Sequence, residues 1–138
     1  YLLLRTSWVY APWGKNFVRT ILGLAQKRPS LKVVNDQLGR PSSAEQIARV
    51  TFELLAQGAL GTFHACDAGE CTWFEFAQTA IGYAGSNCLV EPCLSAEFPS
   101  PAVRPSYSVL DLSETRARIG ELVPWRESLS DVVRRLEP

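Results

Sequence analysis

The sequence has no methionine, a single histidine, and nine glycines of which no two stand two residues apart. That spacing excludes the G-x-G-x-x-G turn that holds a dinucleotide, and the P-loop pattern is missing as well. No tyrosine is followed four residues later by a lysine, and neither a G-x-S-x-G elbow nor an H-E-x-x-H zinc motif occurs. A hydrolase triad on the lone His64 would need Ser7, Ser42 or Ser106, and no spacing favours any of them. No apolar run approaches the roughly 20 residues of a membrane span. Fourteen basic side chains are balanced by fourteen acidic ones, so the basic surplus of a nucleic-acid-binding domain is absent. Arg116, Arg118, Arg126, Arg134 and Arg135 do cluster late, but Glu114, Glu121, Glu127, Asp131 and Glu137 interleave with them as on a solvated helix face. Neither nucleic acid nor a membrane is therefore expected as a partner, and the cytoplasm is the expected location.

What is present is a chain of 138 residues, 46% apolar, long enough for one domain with a buried core and no disulfide help. YLLLRTSWVY, residues 1–10, reads as a strand already in progress, buried on both faces as in a parallel sheet. A sheet of that kind needs neighbours, so the chain is expected to be a piece of something longer. Helical periodicity predicts a helix over 15–28, ended by Arg28-Pro29. A strand follows over 31–37. Ser42 and Glu45 form a capping box for a helix over 43–57, which Gly58 terminates. A strand over 61–69 precedes a second capping box, Thr72 and Glu75, opening a helix to about Tyr83. That helix carries Trp73, Phe76 and Ala80 on one side and Phe74, Ala77 and Ile81 on the other, so it is expected to be well buried. A strand near 88–94, a proline-punctuated segment, a short helix from a Ser113 cap to Ile119, and a last helix over 126–136 complete the chain. Strands alternating with helices predict an α/β fold with parallel pairing.

Cys66, Cys71, Cys88 and Cys93 form two C-x4-C pairs just after His64. Zinc sites more often use C-x2-C, and the second pair encloses the apolar LVEP. The thiols are therefore read as small apolar fillers in a reducing compartment. His64 follows Phe63 in a buried strand and is read as a hydrogen-bonded structural residue.

The features that suit binding are few. Trp8 and Tyr10 share one face of the opening strand. Trp13, Gly14, Lys15 and Asn16 lead into a helix N-terminus, which favours an anion. Arg104, between prolines at 101 and 105, is a cation on a stiff loop, suited to a bidentate phosphate contact. Together they suit a nucleotide-sugar pocket.

RTSWVY, GKNF, NDQLGRPSSAE, CTWFEFA, FPSPAVRPSYSVLD and LVPWRESL occur here in the order found in dTDP-4-dehydrorhamnose reductases. The chain resembles the C-terminal half of that family of extended short-chain dehydrogenases over essentially its whole length. The resemblance implies the substrate-binding half of an NADPH- or NADH-dependent oxidoreductase. The missing half would carry the glycine-rich loop and the Tyr-x-x-x-Lys pair, so the fragment alone is expected to be inactive. It implies that Trp8 lies against the substrate sugar, that Asn16 and Phe17 sit beside the dTDP-linked deoxy-sugar, and that Arg104 is near the pyrophosphate. Thr6 and Ser7 would pass the nicotinamide end of the cofactor, and Gln37 would have a positional role. The resemblance also admits Mg2+ and a homodimer. APWG in place of a more glycine-rich link, and VRP in place of a doubled arginine, depart from the family pattern. A non-catalytic nucleotide-sugar-binding or regulatory module is the alternative.

Overall fold

The structure is a computed structural model that describes residues 1–98, 102 and 104–136. Among the described residues, eight short strands and five helices follow along the chain: β1 (Leu2–Arg5), β2 (Val9–Tyr10), α1 (Phe17–Ala25), β3 (Ser30–Val34), β4 (Leu38–Gly39), β5 (Ser42–Ser43) and α2 (Ala44–Ala56). Then come β6 (Gly61–His64), β7 (Cys71–Thr72), α3 (Trp73–Tyr83), β8 (Leu89–Cys93), a single 3-10 turn (Ser95–Glu97), α4 (Ser113–Ile119) and α5 (Trp125–Arg134). β1 pairs with β6, β2 with β5 and β3 with β8, all in parallel, while β4 and β7 form an antiparallel pair. The expected α/β class and parallel pairing are what the chain adopts.

Three apolar clusters hold these pieces together. α3 separates two of them, because residues four apart share a face while the two i, i+4 pairs point to different sides. Phe76 and Ala80 join Tyr10, Trp125 and Leu129 in one cluster, while Ala77 and Ile81 join Ile21, Val33 and Val90 in another. The third packs α2, through Val50 and Leu54, against Phe63 of β6 and Leu112. Leu2 and Leu4 of β1 lean on that third cluster. Leu3 points the other way and remains 47% exposed. β1 is therefore covered on one face, not on both as its apolar run suggested, because no described element packs over the opposite face.

The capping expectations divide. Glu75 N donates to Thr72 Oγ1 at 3.2 Å and Thr72 N donates to Glu75 Oε2 at 2.8 Å, a complete box at the start of α3. The box expected at Ser42 and Glu45 does not form. Ser43 is the N-cap of α2 and makes no side-chain cap bond, because Ser42 is buried in β5 and Glu45 pairs with Arg135 instead. Ser113 is the first residue of α4 and not its cap, with the Asp111 carboxylate accepting from its backbone and hydroxyl. α1 is shorter than the predicted 15–28, since Asn16 caps it and Gln26 closes it.

The cysteines are all buried thiols, and three of them lie in different clusters: Cys71, Cys88 and Cys66. Burial pushes the Cys71 thiol up to about 12, which makes it an apolar filler at neutral pH. His64 is structural in geometry: its Nδ1 meets the Asp111 carbonyl at 2.7 Å and its own carbonyl accepts from Thr115 Oγ1 at 2.7 Å.

Candidate functional site

β3 and β8 run side by side in parallel, and their carboxyl ends open into a cleft of about 700 Å3. Val33 and Val34 come from the end of β3, Ser95 and Ala96 from just after β8, and Phe17 and Trp73 from the first turns of α1 and α3. Phe98, Ala102, Arg104 and Gln37 complete the described lining. Carboxyl ends of parallel strands beside helix N-termini are where open α/β sheets bind ligands. Two helix N-termini also bias the cleft toward negative charge.

The loop after β3 is locked to the turn after β8 by short polar contacts. Ser95 Oγ donates to Asp36 Oδ1 at 2.6 Å, Ser95 N donates to Asp36 Oδ2 at 2.9 Å, and Gln37 Nε2 donates to Ser95 Oγ at 2.7 Å. The hydrogen bonds from Ser95 hold the Asp36 carboxyl below the usual carboxylate range. Arg104 is exposed and makes no ion pair among the described residues. The chain just after it is fixed, because Leu38 N donates to the Ser106 carbonyl at 2.8 Å and Ser108 N to the Leu38 carbonyl at 2.9 Å. Pro101, the other half of the expected brace, lies outside the described residues.

Trp8 takes a position that sequence does not suggest. Its φ is 47°, in the left-handed region where a bulky side chain is an outlier. Such strain persists where surrounding contacts enforce it. Its indole is stacked on Trp73 with centroids 3.6 Å apart and planes 13° from parallel. On β4, a Cβ added at Gly39 would lie 2.5 Å from Trp8 Cε2 and Cζ2. Trp8 thus does not line the cleft: it backs Trp73, which does. Gly39→Ala is expected to cost about 1–3 kcal/mol by overpacking and to displace the stack. Urea unfolding and indole fluorescence read the two effects, and an unchanged midpoint with unchanged emission would show that the stack yields freely.

The other anticipated site residues sort as follows. Phe17 lines the cleft and contacts Trp73 at 4.5 Å between centroids. Asn16 is engaged in the loop: its Oδ1 accepts from Arg19 N at 3.2 Å, while its Nδ2 donates to the carbonyls of Ala11 at 2.9 Å and Trp13 at 3.2 Å. It holds the entry to α1 and leaves Phe17 to face the cleft. Thr6 is exposed immediately beyond the carboxyl end of β1. Ser7 Oγ donates to the Arg40 carbonyl at 2.8 Å. Trp13 stays exposed, with the Arg135 guanidinium 5.7 Å from its ring centroid. Sequence reasoning placed Trp73 in the core and passed over Phe98 as a site residue. Their signals were an aromatic directly after a helix cap and an aromatic inside a proline-rich irregular segment.

An α/β unit with parallel strand pairs, a cleft at their carboxyl ends and an aromatic and cationic lining has the features by which α/β folds take small molecules. The chain belongs to the RmlD substrate binding domain family, whose model matches residues 1–137. It is 37% identical over 154 aligned residues to a dTDP-4-dehydrorhamnose reductase of Burkholderia thailandensis, covering 99% of this chain and 52% of that protein. A dTDP-4-dehydrorhamnose reductase from Clostridium acetobutylicum has a solved structure with a TM-score of 0.94 and 39% identity, covering 99% of this chain and 49% of that one. A second, from Bacillus anthracis in complex with NADP, gives a TM-score of 0.91 at 34% identity, covering 96% of this chain and 47% of its own. The fold is that of the extended short-chain dehydrogenases, and the chain spans about half the length of the relatives it matches.

Proposed function

We propose that this chain is the substrate-binding half of a cytoplasmic, NAD(P)H-dependent dTDP-4-dehydrorhamnose reductase. The intact enzyme reduces the 4-keto group of a dTDP-6-deoxy-hexulose to give dTDP-L-rhamnose. The observation that carries this reading is the cleft itself, where Trp73 and Phe17 at two helix N-termini face the same space as Arg104. Flat apolar walls, a favourable field for anions and a guanidinium suit a diphosphate-linked ligand. The family match and the named relatives agree with it.

When bound, the nicotinamide supplies the hydride that goes to the sugar carbonyl. Of the residues here, Thr6 fits its edge best, since it is exposed at a strand's carboxyl end, where such folds take dinucleotides. Ser7 would hold the chain in place through Arg40. No glycine-rich phosphate loop and no Tyr-x-x-x-Lys pair lies in these 138 residues. Without a tyrosine acid made competent by a neighbouring lysine, the alkoxide formed at C4 has no proton donor. The chain by itself is expected to show no turnover with NADPH and a dTDP-4-keto-6-deoxy sugar, followed by loss of absorbance at the nicotinamide band. Turnover matching that of a full-length reductase would refute the division of labour.

A further inference from the structure

Outside the cleft, one arginine is nearly buried beside the corner that Thr6, Ser7 and Trp8 make between β1 and β2. The Arg40 side chain is only 15% exposed, yet its charge is thinly paired. Nη1 donates to the Gly69 carbonyl at 2.9 Å, Nη2 stands 4.0 Å from Glu70 Oε2, and Nε has no hydrogen-bond partner among the described residues. Burying a cation on such terms adds little to stability, because lost hydration offsets the attraction. Its contribution lies in geometry, in the two segments that it ties together.

One of those segments is firmly anchored. Residues 66–70 are fastened to the start of α5, where Ala68 N donates to the Val123 carbonyl at 2.8 Å and Trp125 N to the Ala68 carbonyl at 2.9 Å. Gly69 packs against the buried Trp125 ring, since a Cβ added there would lie 3.0 Å from Trp125 Cδ1. The other segment, residues 39–42, meets the Thr6–Trp8 corner three times. Gly39 packs against the Trp8 indole, the Arg40 carbonyl accepts from Ser7 Oγ at 2.8 Å, and Ser42 N donates to the Trp8 carbonyl at 3.2 Å. Trp8 is held at a φ of 47°, a strained setting for a bulky residue. Strain of that kind persists only while the contacts around it are fixed. Asp67 N donates to the Pro41 carbonyl at 3.2 Å, and the Arg40 guanidinium adds a second tie whose direction its planar fork sets.

We propose that Arg40 is a positioning residue for the reduction. Its guanidinium braces residues 39–42 on the anchored 66–70 loop and so holds the Thr6–Trp8 corner in its strained shape. Thr6 is thereby kept at the nicotinamide edge, and the Trp8 indole is kept behind Trp73. Arg40 acts through Ser7 and Trp8, without contact of its own with cofactor or substrate. The consequence for turnover rests on the reductase reading above, while the brace itself is a property of this chain.

Near-ultraviolet circular dichroism of the full 138-residue chain reads the corner, the Trp8 signal being the difference between the parent and Trp8→Phe. Arg40→Met removes the charge and the fork but keeps the length of the side chain. It is expected to lose most of the Trp8 signal while its melting temperature stays within about 4 °C of the parent's. Arg40→Lys keeps the charge without the fork and is expected to lose signal in the same direction. In the full-length reductase of the reading above, Arg40→Met is expected to lower kcat about tenfold and to leave KM for the nucleotide sugar within about twofold. A parent-like Trp8 signal in Arg40→Met overturns the brace. Should that variant not fold, a parent-like signal in Arg40→Lys overturns it equally. A weakened signal with parent-like kcat overturns the positioning role and leaves the reductase reading standing. A full-length parent that reduces no dTDP-4-keto-6-deoxy sugar brings down the reductase reading, and the dichroism of the chain still decides the brace.

Discussion

Phe76→Ala is expected to remove about 3–5 kcal/mol of stability, the usual cost of deleting a buried phenyl ring. A domain of this size holds roughly 5–15 kcal/mol in total, so the variant should lose about a third or more of its stability. The reason is its position. Phe76 is 1% exposed and sits edge-on to Tyr10 at 5.2 Å and to Trp125 at 5.7 Å, and it stacks near Phe17 at 5.9 Å. Trp8 and Trp73 are also within 6.5 Å of it, centroid to centroid. Removing the ring takes the common support from the walls of the cleft as well as from the core. Phe76→Leu, which keeps most of the volume, should retain most of the stability. Urea unfolding followed by circular dichroism decides this, and a loss below about 1 kcal/mol for the alanine variant would mean the aromatic cluster closes over the gap.

The second large effect is a dependence on pH. Asp67 is 1% exposed at the junction of β2, β5 and α5. Its Oδ2 accepts from the Tyr10 hydroxyl at 3.1 Å and from Ser43 N at 3.2 Å, while Oδ1 has no hydrogen-bond partner among the described residues. Burial outweighs these bonds and pushes the carboxyl up from 3.8 to about 6. The same burial, with Asp67 beside it, pushes the Tyr10 phenol well above its ordinary value.

Because the folded carboxyl keeps its proton where the unfolded one has lost it, the folded state binds more protons between about pH 4 and 6. Stability therefore falls as pH rises through that window and is level above it. A shift of 3.8 to about 6 corresponds to about 3 kcal/mol. Asp36 and Asp111 are held low by their Ser95 and Ser113 hydrogen bonds, so their contributions are lost only as pH drops below about 4. Asp67→Asn keeps an acceptor for Tyr10 and Ser43 without the charge. It should be more stable than the parent by about 2 kcal/mol at pH 7 and should lack the decline between pH 4 and 6. Urea midpoints at four pH values compare the two directly. A parent chain that gains stability over that interval would overturn the assignment.

Both effects involve residues whose neighbours are distant in sequence, and that is where legibility ended. The order of strands and helices was readable because period-2 and period-3.6 apolar patterns are local. The Thr72–Glu75 box was equally local, and it formed. The Ser42–Glu45 box had the same letters and failed, because Ser42 N went to the Trp8 carbonyl and Glu45 to Arg135, both distant along the chain. Phe17 and Arg104 were expected at a binding site from the sequence, and both line the same cleft. Trp73 was taken for core, because a helix apolar around most of its circumference gives no hint of which ring borders open space. The bare face of β1 went unseen for the related reason that a run of leucines does not say how many layers will cover it.

The order of the elements, the capped start of α3, the balance of charge and membership of the RmlD substrate binding domain family follow from the sequence alone, since each depends on residue identity and short spacing. Only the tertiary structure put the Trp8 indole between Gly39 and Trp73, turned Trp73 and Phe98 toward one cleft, and buried Asp67 under Tyr10. Those outcomes belong to packing between segments tens of residues apart. The free energy of such contacts depends on which surfaces meet, and no local preference of the chain encodes that.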